Sequence, residues 1–253
     1  MSELTAQPNL RELIGPYTEE ASERLHERFP NVEADHLSAL GAGLVALGTV
    51  AAISSSKHPD RAKLSFGLNA AGAITDTFNG ALARVCYGDD PERLVRGNKV
   101  DSTSDFIKDA LMGAAKIAAT SSSGGRGRRL LAEAATITTP LASFSRAYME
   151  KRGYTIDEHG NNHFEFLGTR AGRTALHTIS SSNLRFRGMP LQPSLDALIT
   201  VANLTRIAKN LGASSKEEKN PYARQKAKFR TRFHGTTALI TVAGIIAARR
   251  VIK

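Results

Sequence analysis

A chain of 253 residues can form one large domain or two small ones, and its single cysteine, Cys86, excludes an intramolecular disulfide framework and a cysteine-rich zinc centre. A formal net charge of +10 calls for an anionic partner: nucleic acid, acidic lipid or a phosphate-rich substrate. Composition alone does not announce a membrane protein, since 41% hydrophobic residues, a mean hydropathy of -0.24 and no tryptophan suit a water-soluble domain equally well.

The first thirty residues are polar and charged, so no cleavable signal peptide is expected. Within them, 9–29 reads as an amphipathic helix broken at Pro16. Residues 37–53 form the first long apolar run, seventeen residues without a charge, at the short end of a bilayer span. A second run, 64–74, meets Asp76 with no loop between, and a third, 106–119, carries Lys108, Asp109 and Lys116. Residues 121–129, SSSGGRGRR, read as a loop. The fourth run, 130–148, holds only Glu133 and Arg146 as charges, and its small residues suit close helix packing. Residues 151–163 read as a loop, 169–184 as a weak helical segment and 195–207 as another apolar run. A basic tract over 209–232 sets eight Lys/Arg against two Glu, and 236–248 is apolar up to Arg249 and Arg250. With almost no alternating pattern, the expected fold is all-α. Cys86 reads as a buried, inert thiol.

Chemistry concentrates between Asp76 and Asp105, where DTFNGALAR is followed after twelve residues by GNKVDSTSD. Asp76 and Asn79 are three apart, Asp101 and Asp105 four apart, so on helices each pair shares a face. Two such faces meeting across a short loop gather up to four oxygen-bearing side chains. Mg²⁺ and similar hard cations want that set, completed by substrate phosphates. Gly80 and Ala83 leave room for a large group beside the backbone, and Arg84 offers a fixed positive charge to a phosphate. Taken pair by pair, a solvated helix–loop–helix with ordinary surface acids is the competing reading.

The ordered set resembles the signature of the CDP-alcohol phosphatidyltransferase family, D-x2-D-G-x2-A-R, a spacer of usually about eight residues, then G-x3-D-x3-D. Asp76, Gly80, Ala83, Arg84, Gly97, Asp101 and Asp105 stand at matching positions. Asn79 replaces the second aspartate, and the spacer holds twelve residues, the extra ones falling in the turn-rich YGDDPERLVR, where insertion is cheap. Downstream, SFSRAYME (143–150) resembles the S-Y-x-[KR]-A-R-A-E segment of phosphatidylinositol and phosphatidylinositol-phosphate synthases, with Tyr148 where those carry Arg. TRAGR (169–173) resembles their E-R-x-E-R motif with both glutamates lost, and NLTRI (203–207) the close of their sixth helix.

The resemblance implies a polytopic membrane bundle of six core transmembrane helices over 37–210. An N-terminal amphipathic segment (1–36) precedes it, and a basic tract with an apolar C-terminal helix (211–253) follows. It implies a multi-pass protein of the cell membrane, homodimeric, with its N-terminus and site facing the cytoplasm, where the basic tract also falls by the positive-inside tendency. The arginines of 121–129 would then lie outside. By position, Asp76, Asn79, Asp101 and Asp105 would hold two Mg²⁺ or Mn²⁺ ions, with Asp105 also the general base. Gly80, Ala83, Arg84 and Gly97 would contact the CDP moiety of CDP-diacylglycerol. Arg146, Arg170 and Arg173 would hold a small anionic alcohol, inositol phosphate or glycerol phosphate in type, and CMP would be released. Nucleic acid is not among the partners implied.

Asn79 removes one negative charge from such a site, so a catalytically weakened member of the same fold stays open. So does a soluble, basic all-α protein that binds nucleic acid or an acidic partner. His159 and His163 have the i, i+4 spacing of zinc ligands but flank GNN in a loop, and SSSGGRGRR lacks the Walker pattern. KAKFRTRF offers Phe229 and Phe233 as bases' stacking partners, although attraction to anionic lipid explains it more simply.

Overall fold

The computed structural model describes residues 10–55, 57–88, 90–123, 125–154, 156, 170–213 and 221–251. They form eight helices and one small hairpin, an all-α fold as expected. The helices are α1 (Leu10–Arg28), α2 (Ala34–Ser54), α3 (Asp60–Tyr87), α4 (Pro91–Ser123), α5 (Arg126–Lys151), α6 (Arg170–Ser181), α7 (Gln192–Leu211) and α8 (Pro221–Val251). The hairpin joins β1 (Arg185–Phe186) to β2 (Met189–Pro190) between α6 and α7.

Small residues set the closest contacts. On α2, Gly41 and Gly48 face Gly72, Asn69 and Ser65 of α3, and a Cβ at either glycine would overlap an α3 side chain. That approach lets α2 lie along α3, and α4 packs against α2 as well. A second group forms where α7 and α8 pack against α5, with α4 and α6 joining the two groups.

The chain alternates between two ends of this bundle. The α3–α4 turn lies at one end, together with the close of α5, where Arg230 of α8 meets Glu150 and Thr231 donates to the Ala147 carbonyl. At the far end, Arg249 of α8 pairs with Glu133 near the start of α5, so α8 runs antiparallel to α5. Asn183, after α6, donates to Ser55, after α2, also at the far end. The close of α7 and the start of α8 therefore belong to the end that holds the α3–α4 turn.

The interior is rich in small and polar side chains. Besides alanines, much of the interior is Ser, Thr, Asn and charged side chains, whereas large apolar residues point outward, Val50 of α2 at 65% and Leu239 of α8 at 73% exposure among them. On α7 the inward stripe is Gln192, Asp196, Ile199, Asn203, Arg206 and Asn210, and Val201, Leu204 and Leu211 are exposed. By length and composition, α2 is the one helix among the described residues apolar enough to cross a membrane.

Four expectations need correction. Pro16 does not break α1, which runs through it; Gly15 before it has no Cβ to clash with the proline ring. The spacer is mainly helix: α3 continues to Tyr87 and Pro91 opens α4. Asp90 Oδ1 accepts from the Glu92 and Arg93 amides at 2.9 and 3.3 Å, an N-cap followed by proline at the first helical position. The 121–129 loop shrinks to the residues between Ser123 and Arg126, with Gly125 in extended backbone. The 236–248 segment is not a separate tail, because α8 takes it together with the basic stretch into one 31-residue helix along α5. Residues 157–169, with His159 and His163, lie outside the described residues.

Candidate functional site

Three helices converge on the acidic motif. Asn79, 6% exposed on α3, donates through Nδ2 to Ser38 Oγ on α2 at 2.8 Å and to Asp101 Oδ1 on α4 at 3.2 Å. Ser104 Oγ donates to the Ser38 carbonyl at 2.9 Å, which fixes the α4 register against α2. Asn79 Oδ1 is buried and has no hydrogen-bond partner. An unmet acceptor beside a carboxylate needs a reason, and a bound cation is one. Asp105 follows Asp101 by one turn of α4 and is half-buried.

Asp76, one turn before Asn79, is already engaged by a cation. Lys108 of α4, 3% exposed, places its ammonium on Asp76 Oδ1. Sequence reasoning passed over Lys108 as a charge inside an apolar run. Its spacing carried the signal: Asp101, Asp105 and Lys108 follow one another by four and three residues, so they share a face of α4.

The remaining motif residues lie toward the turn. Gly80 is exposed, with Arg84 Nη1 4.0 Å from where a Cβ would stand, and Ala83 is half-buried. Arg84, about half-exposed, donates through NH2 and Nε to Glu19 of α1 at 2.7 and 3.2 Å. Gly97 lies against the Tyr87 ring, 3.2 Å from where its Cβ would stand, so its small size lets the α3–α4 hairpin close. At this charged end, beyond the apolar part of the hairpin, burial and then Asp35 and Glu33 push the Tyr87 phenol up. Burial and Glu33 likewise push the Cys86 thiol up, and the group is half-buried beside His26 Nδ1 at 3.5 Å. The thiol is less buried than expected.

The basic candidates sit deeper, along α5. Arg173 of α6 donates to the Thr139 carbonyl and to Ser143 Oγ, both at 3.4 Å. Arg146, one turn beyond Ser143, pairs with Glu150 at 2.8 Å. Arg170 begins α6, and its side chain lies outside the described residues. Arg206, inside NLTRI, is buried on α7 and is a further cation that the motif comparison did not single out. Phe229 and Phe233 stack on each other at 5.7 Å, and Phe233 meets Phe106 of α4 edge-on at 6.2 Å, so their faces serve the α4–α8 contact. No family model, curated protein or solved structure matches the chain.

Proposed function

We propose that this chain is a membrane-embedded CDP-alcohol phosphotransferase. It moves a phosphatidyl group from CDP-diacylglycerol to a small anionic alcohol of the inositol phosphate or glycerol phosphate type, releasing CMP. The observation that supports the reading is the meeting of Asn79 and Asp101, 22 residues apart in sequence, where α2, α3 and α4 come together in a bundle with outward apolar side chains.

Lipid tails would cover the outward Leu, Ile and Val side chains, while the inward polar residues satisfy one another. The helices α2, α3, α4, α5, α7 and α8 each have at least 20 residues, about 30 Å, the thickness of a bilayer's hydrocarbon core. The α3–α4 turn and the basic first turns of α8, with Lys226, Lys228, Arg230 and Arg232, share one end, which the positive-inside tendency assigns to the cytoplasm.

For a divalent cation, Mg²⁺ or Mn²⁺, the oxygens on offer are the unmet Asn79 Oδ1 and the carboxylates of Asp101, which accepts from Asn79 Nδ2, and of Asp105 one turn further along α4; among the described residues no three His, Cys, Asp or Glu side chains gather closely enough to hold an ion by themselves. Such an ion supplies charge neutralisation at the diphosphate and at the departing CMP. Asp105 takes the proton from the acceptor hydroxyl as its oxygen bonds to the β-phosphorus and the bond to CMP breaks. Arg84, with Gly80 and Ala83 leaving the space, meets the CDP moiety. Arg146, Arg170 and Arg173, with Arg206, attract the acceptor's phosphate, for which guanidinium forks are suited.

A second reading, a non-catalytic member of the same fold, is favoured by the Lys108–Asp76 pair, which already neutralises one carboxylate of the cluster. The test is CMP release from CDP-diacylglycerol by detergent-purified protein with Mg²⁺ or Mn²⁺ over a panel of acceptors. Release that Asp105→Asn abolishes is the expected result. A folded protein releasing no CMP with any acceptor would overturn the transferase in favour of the second reading.

A further inference from the structure

A cavity of about 230 Å³ lies at the far end of the bundle, where α4 closes, α5 and α7 open, and the β1–β2 hairpin joins α6 to α7. It has room for a group smaller than a drug-sized ligand. Arg128, Asn183, Arg185, Pro190 and Gln192 are among its walls, and among the described residues no acidic side chain lines it.

Local structure fixes what each wall presents. Arg185 and Pro190 are cross-strand partners, so their side chains share the hairpin face that lines the cavity. Phe186 and Met189, the other pair, take the opposite face and are exposed. Arg128 comes from the first turn of α5. Both arginines are exposed, and among the described residues neither has an ion-pair partner. Ser55 Oγ donates to the Ala52 carbonyl at 2.6 Å, so it accepts from Asn183 Nδ2 at 3.0 Å. That bond settles the orientation of the Asn183 amide and leaves Oδ1 as an acceptor. Gln192 Nε2 donates to the Lys116 carbonyl and to Asp196 Oδ2 at 3.1 and 3.3 Å, which ties this wall to the buried Lys116–Asp196 pair, whose charges offset each other.

Two cations on one cavity with no carboxylate beside them favour an anion there. Guanidinium forks match phosphate oxygens, and an amide oxygen matches a hydroxyl or ammonium donor. We propose that the cavity binds a phosphate ester that also carries an ammonium or hydroxyl group, with the phosphate on Arg128 and Arg185 and the donor on Asn183 Oδ1. The site lies apart from the acidic motif and stands independently of the phosphotransferase reading.

The test is isothermal titration calorimetry of the full chain in a non-ionic detergent with O-phosphoethanolamine. Each of Arg128→Gln and Arg185→Gln should weaken binding about tenfold, the usual worth of a hydrogen bond to a charged group. Both side chains are exposed, so the unfolding midpoint should not move. Ethyl phosphate, which lacks the ammonium, should bind wild type about fivefold more weakly, a comparison that needs no variant. Native mass spectrometry of the chain incubated with phosphatidylethanolamine separates the sources of the ester. One lipid kept by wild type and lost from the Arg128→Gln/Arg185→Gln double variant assigns the cavity to a headgroup, beside the exposed Phe186 and Met189. Binding of the soluble ester with no lipid kept assigns it to a soluble ligand. Binding that survives both substitutions, indifference to the ammonium, or neither ester nor lipid bound overturns the proposal.

Discussion

Helix α4 carries two buried lysines eight residues apart, and they are held in contrasting ways. Lys116 and its partner Asp196 on α7 are both 0% exposed and lie 3.3 Å apart. Lys116 also donates to His177 Nδ1 at 2.7 Å, which leaves the proton of a neutral imidazole on Nε2, within 2.8 Å of Thr139 Oγ1. Asp196 accepts from Ser180 Oγ at 2.6 Å and from Gln192 Nε2 at 3.3 Å. None of these six side chains has a buried polar atom left unpartnered. Around Lys108 the network is incomplete: Asp76 is half-buried, and Asn79 Oδ1 nearby is unmet. A satisfied buried network locks helices and has nothing left to offer a ligand, whereas an incomplete one retains capacity to bind. On α4 the distance between these two conditions is two helical turns.

The largest effect expected at the incomplete end is on rate. Asp105→Asn removes the general base and should lower CMP release about 10²–10⁴-fold while the unfolding midpoint stays put. Undiminished turnover would remove Asp105 from the chemistry. At the complete end the effect falls on stability. Lys116→Met leaves Asp196 charged and buried without its cation, and should cost about 3–5 kcal/mol, read by denaturation in mixed micelles. Turnover per folded molecule should be unchanged; a selective loss of turnover would make that network part of the site. Asp76→Asn sharpens the contrast, because it strips Lys108 of its charge partner where water comes nearer. About 1–3 kcal/mol is expected, read as a lowered unfolding midpoint. An unmoved midpoint would mean that the Lys108–Asp76 pair adds nothing to the fold.

Much of the incomplete end was legible from residue order. Spacings of three and four put Asp76 with Asn79 and Asp101 with Asp105 on shared faces once the segments were read as helices. Asp90-Pro91 is a local start signal that the twelve-residue spacer obscured. The complete end was not legible. Lys116, His177 and Asp196 come from three helices and carry no common spacing, so only the packing joins them. Hydropathy averaged inward Asn, Thr and Asp with outward Leu and Val, which is why α2 alone stood out as apolar enough to span. The β1–β2 hairpin, two residues a side, was too short for alternation to show; its turn rests on positive φ at Arg187 and Gly188.

Beyond the two lysines, a third pair extends the series toward solvent. Arg84 and Glu19 are each about half-exposed, and such pairs contribute about 0.2–1 kcal/mol. Glu19→Gln should therefore leave the unfolding midpoint almost unmoved. Its effect should be on substrate, because the guanidinium that Glu19 holds is the one assigned to the CDP moiety. Freed of that carboxylate, Arg84 should bind the diphosphate more readily, lowering KM for CDP-diacylglycerol about 2–5-fold with kcat unchanged, a gain of about 0.4–1 kcal/mol. Arg84→Ala should raise KM in either background, and the two substitutions together should match Arg84→Ala alone. A KM indifferent to both would leave Arg84 as a fastening for α1, and the exposed pair would then join Lys116 on the structural side of the comparison.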